Sequence, residues 1–237
     1  DNGDGTATHI ATPADANVGS HDVQLRVTDG TNVAGQPFTI TVTGVNDEPT
    51  VSASAAGGTF TEGGSNVVMY TSGDVADGDS TVTQTWSAIT VTITNVADEE
   101  EYLVIDGSEC DITTAATCVA NTATNAGAAV VTLSGGLPAT ATVVWTADAD
   151  STTDAEMETL INAIAYKNDD DNPTAGARVI TITTLKDEGG TANSGDDSVT
   201  VTLDATATVV AVNAAPASAG DTVTVNEDVA HNGWAAS

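Results

Sequence analysis

Basic residues are nearly missing from this chain: four Lys and Arg stand against 34 Asp and Glu, a formal net charge of −30. Repulsion of that size argues against a nucleic-acid or anionic-membrane partner and leaves cations as the natural ones, with salt adaptation as the plainer source of the acidity. Aromatic residues are scarce, at 3%, which fits many thin strands better than a large enzyme core. No run of about 18 apolar residues exists, so no transmembrane helix is expected. Asp1 to Thr6 carry neither the basic start nor the apolar stretch of a signal peptide, so any targeting signal is expected to lie outside this stretch.

The motifs that carry common chemistries are missing as well. Gly-x-Ser-x-Gly, His-Glu-x-x-His, a phosphate-binding glycine loop and Cys/His zinc spacing do not occur. Ser20 and His21 are adjacent on one strand, face opposite sides and cannot act as nucleophile and base. Paired carboxylates for glycoside chemistry are available in any chain this acidic, but the aromatic platforms of a sugar-cleaving cleft are thin. The expectation is a protein that is not an enzyme.

What is present is 40% hydrophobic residues, dominated by Ala and Val with Thr between them, enough for a buried core. Period-2 alternation runs through HDVQLRVTD at 21–29, PFTITVTGV at 37–45, SAITVTITNV at 87–96, ARVITITTL at 177–185 and DSVTVTLDATATVVAV at 197–212, each the pattern of a half-buried strand. NGDG at 2–5, DGTN at 29–32, DGDS at 77–80 and DEGG at 187–190 supply turns between them. Short strands with frequent turns indicate antiparallel sandwiches. One segment departs from this rhythm. Thr153-Asp-Ala-Glu156 is a capping box followed by Met157, Leu160, Ile161 and Ile164 at helical spacing, so one short helix is expected there.

A phrase repeats at a distance of 167 residues: Val45-Asn46-Asp47-Glu48-Pro49 and Val212-Asn213-Ala214-Ala215-Pro216 each close a strand. Proline stops a ladder and fixes φ, as a rigid joint between domains would require. The boundaries follow: residues 1–49 are the C-terminal part of one domain, 50–216 a complete domain and 217–237 the first strand of a third.

At these residues the chain resembles bacterial cadherin-like, dystroglycan-type or Ig-like, tandem repeats of large secreted surface adhesins. DNGDGTATHIATPADANVGSHDVQLRVTDG and QPFTITVTGVNDEP look like the second half of such a repeat. FTEGG at 60–64, DVADGDS at 74–80, AYKNDDDNPTAGARVITITTLKDEGG at 165–190 and VNAAP follow in the order of the next one, and TVTVNEDVAH at 222–231 looks like the opening of a third. The resemblance implies an all-β fold of tandem antiparallel Greek-key β-sandwiches with one short helix in the central domain, Ca²⁺ at the joints, and a secreted, cell-surface location. It implies neighbouring repeats, copies of the same protein, or surface glycans and other cells as partners. Carried over by position, joint one uses Asp29, Asn46 and Asp47 with Asp77 and Asp79. Joint two uses Glu62 and Asp187, with Glu188 and the backbone of Asn213, although Ala214 stands where the linker Asp is expected. Calcium takes about six to eight oxygen ligands, and acidic side chains gathered at a joint repel one another without a cation.

Other residues have plainer readings. Cys110 and Cys118 flank a short polar segment and read as a disulfide, with free thiols as the alternative and metal ligation the weakest. Asn168 to Asn172 form either a second ion site or a turn, Asp98 to Glu101 read as a solvated turn, and Arg178 as a structural clamp on a carboxylate. Two further functions compete with the adhesin module: a filament or surface-layer subunit assembled by strand exchange, and a carbohydrate-binding module using Trp86, Trp145 or Trp234. Against the latter stands the reading of Trp86 and Trp145 as core.

Overall fold

The computed structural model describes residues 8–79, 85–119, 127–148 and 152–212. Alternating Val, Ile and Thr give strands almost throughout. A first hairpin, β1 (Gly19–Thr28) and β2 (Val33–Val42), precedes β3 (Thr50–Ala55), β4 (Gly58–Thr61), β5 (Val67–Val68), β6 (Tyr70–Ala76) and β7 (Trp86–Val96). Next come β8 (Glu101–Ile105), β9 (Ser108–Asp111), β10 (Thr117–Val119), β11 (Ala128–Leu133) and β12 (Ala139–Thr146). Helix α1 (Asp154–Ala163) then leads into β13 (Ala165–Asn168), β14 (Gly176–Asp187) and β15 (Ser198–Val210).

These strands build an all-β sandwich with one short helix. A seven-stranded sheet in the order β10-β11-β12-β7-β14-β15-β4 faces a four-stranded sheet, β5-β13-β8-β9, and β3 pairs with β6. Among the described residues the ladders are antiparallel except one: β4 runs parallel to β15, pairing Gly58 with Ala207 and Phe60 with Val209. The expectation of wholly antiparallel sheets is corrected there.

One face of each central strand supplies the core. Ile89, Val91 and Ile93 of β7, Val143 and Trp145 of β12, and Ile180 and Ile182 of β14 meet Leu103, Ile105 and Tyr166 from the opposite sheet, all buried. Helix α1 starts where the capping box places it, with the Glu156 carboxylate accepting from the Thr153 N–H and O–H. Its Met157, Leu160 and Ile161 are buried, and the Asn162 side chain accepts from the N–H of Gly73 in β6. Trp86 donates from Nε1 to Asp154 at 2.9 Å, tying β7 to the helix start.

The reading of residues 98–101 as a solvated turn is corrected. Asp98 and Glu101 are buried, with Arg178 buried between them. The guanidinium donates from Nε to both Glu101 oxygens and from Nη2 to Glu101, Asp98 and the Thr174 carbonyl, at 2.8–3.1 Å. Tyr166 donates to Glu101 and Asn168 to Asp98. Glu99 and Glu100 are exposed, so a run of four acids splits between core and solvent. Arg178 is the clamp its rarity suggested.

Candidate metal centre

The segment after β2 carries no strand, yet it is anchored. Asn46 Nδ2 donates to Asp187 Oδ1 at 3.1 Å and to the Asp196 carbonyl at 2.6 Å, and the Asp196 N–H returns a bond to the Asn46 carbonyl at 3.0 Å. The linker is thereby clipped to the turn between β14 and β15. A Cβ at Gly189 would overlap Asn46 Oδ1, so only glycine admits the amide at that approach.

Carboxylates gather round this clip. The Asp77 carboxyl lies against that of Asp187, and the Asp47 carboxyl against that of Asp15. The Asp79 charge adds to the rise at both Asp47 and Asp77. Burial, with Asp187 and Asp79 adding, pushes Asp77 up to about 6. The neighbouring Asp15 charge is the chief cause of the rise at Asp47. Two oxygens of the group, Asn46 Oδ1 and Asp77 Oδ2, are buried with no donor to satisfy them. Acceptors facing acceptors require a proton or a cation between them. These residues therefore fit a hard cation in donor type and in unmet demand. Among the described residues, no group of three or more His, Cys, Asp or Glu already stands in ion-binding geometry, so binding would require the side chains to re-aim.

The two joints need their ligands redrawn. The linker residue Asp47 lies against the 77–79 turn, where a Cβ at Gly78 would meet its Oδ2 at 2.9 Å. Asp29 does not reach it: it caps the β1–β2 turn, accepting from the N–H groups of Thr31 and Asn32, about 30 Å from Asn46 along a ten-residue strand. Asp187, assigned to joint two, sits at joint one instead. The reason is topological. Strand β14 ends, and β15 begins, beside the linker, so the turn that carries Asp187 meets Asn46. Glu188 is exposed. Glu62 alone stays at the far joint, where its carboxylate accepts from the Val212 N–H at 2.8 Å, and Asn213 lies outside the described residues. Sequence reading missed Asp15, whose only signal is its place in the Asp15–Asn17 turn.

The remaining candidates resolve into structure. Asp169 pairs with Lys167, and Asp170 accepts from the Asn172 N–H, so residues 168–172 form a self-bonded turn. Cys110 and Cys118 are bonded, with Cα atoms 5.4 Å apart. Because β9 and β10 belong to different sheets, the bridge staples the sandwich across its layers and does more than close a loop. Trp86 and Trp145 are fully buried and offer no face to a sugar, while Trp234 lies outside the described residues. No family model, curated protein or solved structure matches this chain.

Proposed function

We propose that the chain is a non-enzymatic repeat module of a secreted bacterial surface adhesin, stiffened by Ca²⁺ at the joint between residues 1–49 and the sandwich. The observation that carries this reading is the meeting of Asn46 and Asp47 from the linker with Asp77, Asp79 and Asp187 from the domain that follows. Asp77, Asp79 and Asp187 lie on the sandwich, Asn46 and Asp47 on the incoming chain. An ion held by both would replace mutual repulsion with attraction and fix the angle between them. Its partners in this reading are neighbouring repeats along one chain, with glycans or other cells at the ends of the array.

Calcium titration of the metal-free protein tests it. Binding at 100 times Kd adds about 2.7 kcal/mol to stability, several degrees in Tm, and narrows the small-angle scattering distribution of the hairpin relative to the sandwich. If EDTA and Ca²⁺ leave both the thermal transition and the scattering profile unchanged, the reading fails.

A further inference from the structure

Neighbouring residues of the linker do opposite things. Asn46 brings donors to a place lined with acceptors. Its side-chain Nδ2 lies 3.1 Å from Asp187 Oδ1, 3.3 Å from Asp187 Oδ2 and 2.6 Å from the Asp196 carbonyl, so both N–H groups of the amide have acceptors. The Asp196 N–H bonds back to the Asn46 carbonyl at 3.0 Å. Asp187 is itself held in place: it is 1% exposed and takes the Gly189 N–H at 2.6 Å. Beside it, Lys186 pairs with Asp197 at 2.9 Å across the two strand ends. The turn is also shaped to the side chain. A Cβ at Gly189 would overlap Asn46 Oδ1, and one at Gly195 would sit 3.0 Å from Asn46 Cβ. None of these contacts uses an ion.

Asp47 meets the sandwich differently. Its carboxylate lies against the 77–79 turn and carries the charges of Asp15 and Asp79 as a burden, both raising its proton affinity. Repulsion of this kind holds nothing together until a cation enters. A contact made at one residue, as at Asn46, fixes where a chain sits but leaves it free to swing about that point.

The second linker phrase makes the same division. Val45-Asn46-Asp47-Glu48-Pro49 and Val212-Asn213-Ala214-Ala215-Pro216 share valine, asparagine and proline, while both acids of the first are alanine in the second. Alanine offers a cation no side-chain oxygen. What the two phrases keep is the donor; what they change is the carboxylate. Asn213 lies outside the described residues, so this is a statement of sequence alone.

We propose that Asn46 is a cation-independent pin: it docks the linker on the β14–β15 turn in the metal-free protein and sets the pivot of the joint, and an ion at Asp47 adds resistance to swinging about that pivot. Only the second half rests on the calcium reading. Asn46→Asp separates the two, since it keeps the size of the side chain, exchanges its donors for acceptors facing Asp187 and leaves an oxygen for a cation. Asp47→Asn does the reverse, keeping the pin and removing a charge from the ion's side.

Amide exchange of the whole chain in EDTA, followed by NMR at neutral pH, reads the pin through the Asp196 N–H, whose partner is the linker carbonyl of Asn46. In the native protein this amide should exchange at least about tenfold more slowly than in an unstructured peptide, and Asp47→Asn should keep that protection. Asn46→Asp should lose it while the Ile180 amide, in the core of the sandwich, stays protected as the control for folding. Gly189→Ala, which puts a methyl group where Asn46 Oδ1 lies, should lose it too. An unprotected Asp196 amide in native metal-free protein, or native protection in Asn46→Asp, overturns the proposal. Protection that appears only when Ca²⁺ is added overturns the pin and leaves the calcium reading standing, whereas protection in EDTA that Ca²⁺ does not raise supports the pin and counts against the calcium reading.

Discussion

Two groups of acids gather in this molecule, one buried and one only partly so, and they are handled in opposite ways. Asp98 and Glu101 are buried round Arg178, a cation of the chain's own, which with Asn168, Tyr166 and Thr174 accounts for their oxygens. Asp47, Asp77 and Asp187 stand at the linker, and among the described residues no Lys or Arg bonds any of them. The same side-chain chemistry thus yields a fixed structural centre where a guanidinium is supplied, and an unmet demand where it is not. With only four basic residues in the chain, spending one on residues 98–101 marks that centre as architecture and leaves the linker open to an external ion.

The comparison breaks most sharply at Arg178. Arg178→Met keeps the bulk of the side chain and removes the charge, stranding two buried carboxylates. Removing one partner of a buried pair costs about 3–5 kcal/mol, so chemical denaturation should show a loss of that order, and added Ca²⁺ should not restore it. A loss below about 1 kcal/mol, or full rescue by calcium, would make the two centres equivalent and end the distinction.

Reduction gives a smaller effect that touches neither group of acids. The Cys110–Cys118 bridge closes a loop of separation 8, worth about 2 to 3 kcal/mol by loop-closure arithmetic. Cys110→Ser with Cys118→Ser should lower stability by that amount equally with and without calcium. Were the loss larger in one condition, the staple and the linker would be coupled across the sandwich.

Much of this could be read from residues and some could not. The strands, the helix after Thr153 and the clamp role of Arg178 follow from periodicity, capping chemistry and scarcity, all local signals. The identity of Asp98 and Glu101 as its partners did not, because four consecutive acids look like a solvated run until the turn sends the first and last inward. The linker residues Asn46 and Asp47 were legible beside the 77–79 turn, whereas Asp187 was placed at the wrong joint and Asp29 belongs to the β1–β2 turn and to neither joint. Which linker the turn carrying Asp187 meets depends on where β14 ends, and that is a property of topology.

The smallest effect concerns pH and separates the two centres by sign. Asp77 is raised to about 6 in the folded protein from an ordinary value of 3.8, chiefly by burial. The folded state then holds a proton that the unfolded chain has already released between those values. Stability contributed this way is present at acid pH and is lost as pH rises through about 6. Asp47 and Asp106 are raised too, and act in the same direction. Asp98 is lowered, its hydrogen bonds and Arg178 outweighing its burial, so its contribution is present above about 4 and is lost only on further acidification. A window from pH 5 to 7.5 therefore isolates the raised group. Metal-free protein should lose stability across it, by roughly 1 kcal/mol for a partly exposed carboxyl screened by solvent, read as a fall of a few degrees in Tm. Saturating Ca²⁺ should reverse the slope, because an ion that needs ionised ligands binds better as the proton leaves. Asp77→Asn should flatten the metal-free slope, leaving only what Asp47 and Asp106 contribute, and should remove most of the calcium response. An unchanged slope in Asp77→Asn, or a metal-free protein that gains stability from pH 5 to 7.5, would show that the linker acids are solvated separately and do not form one centre.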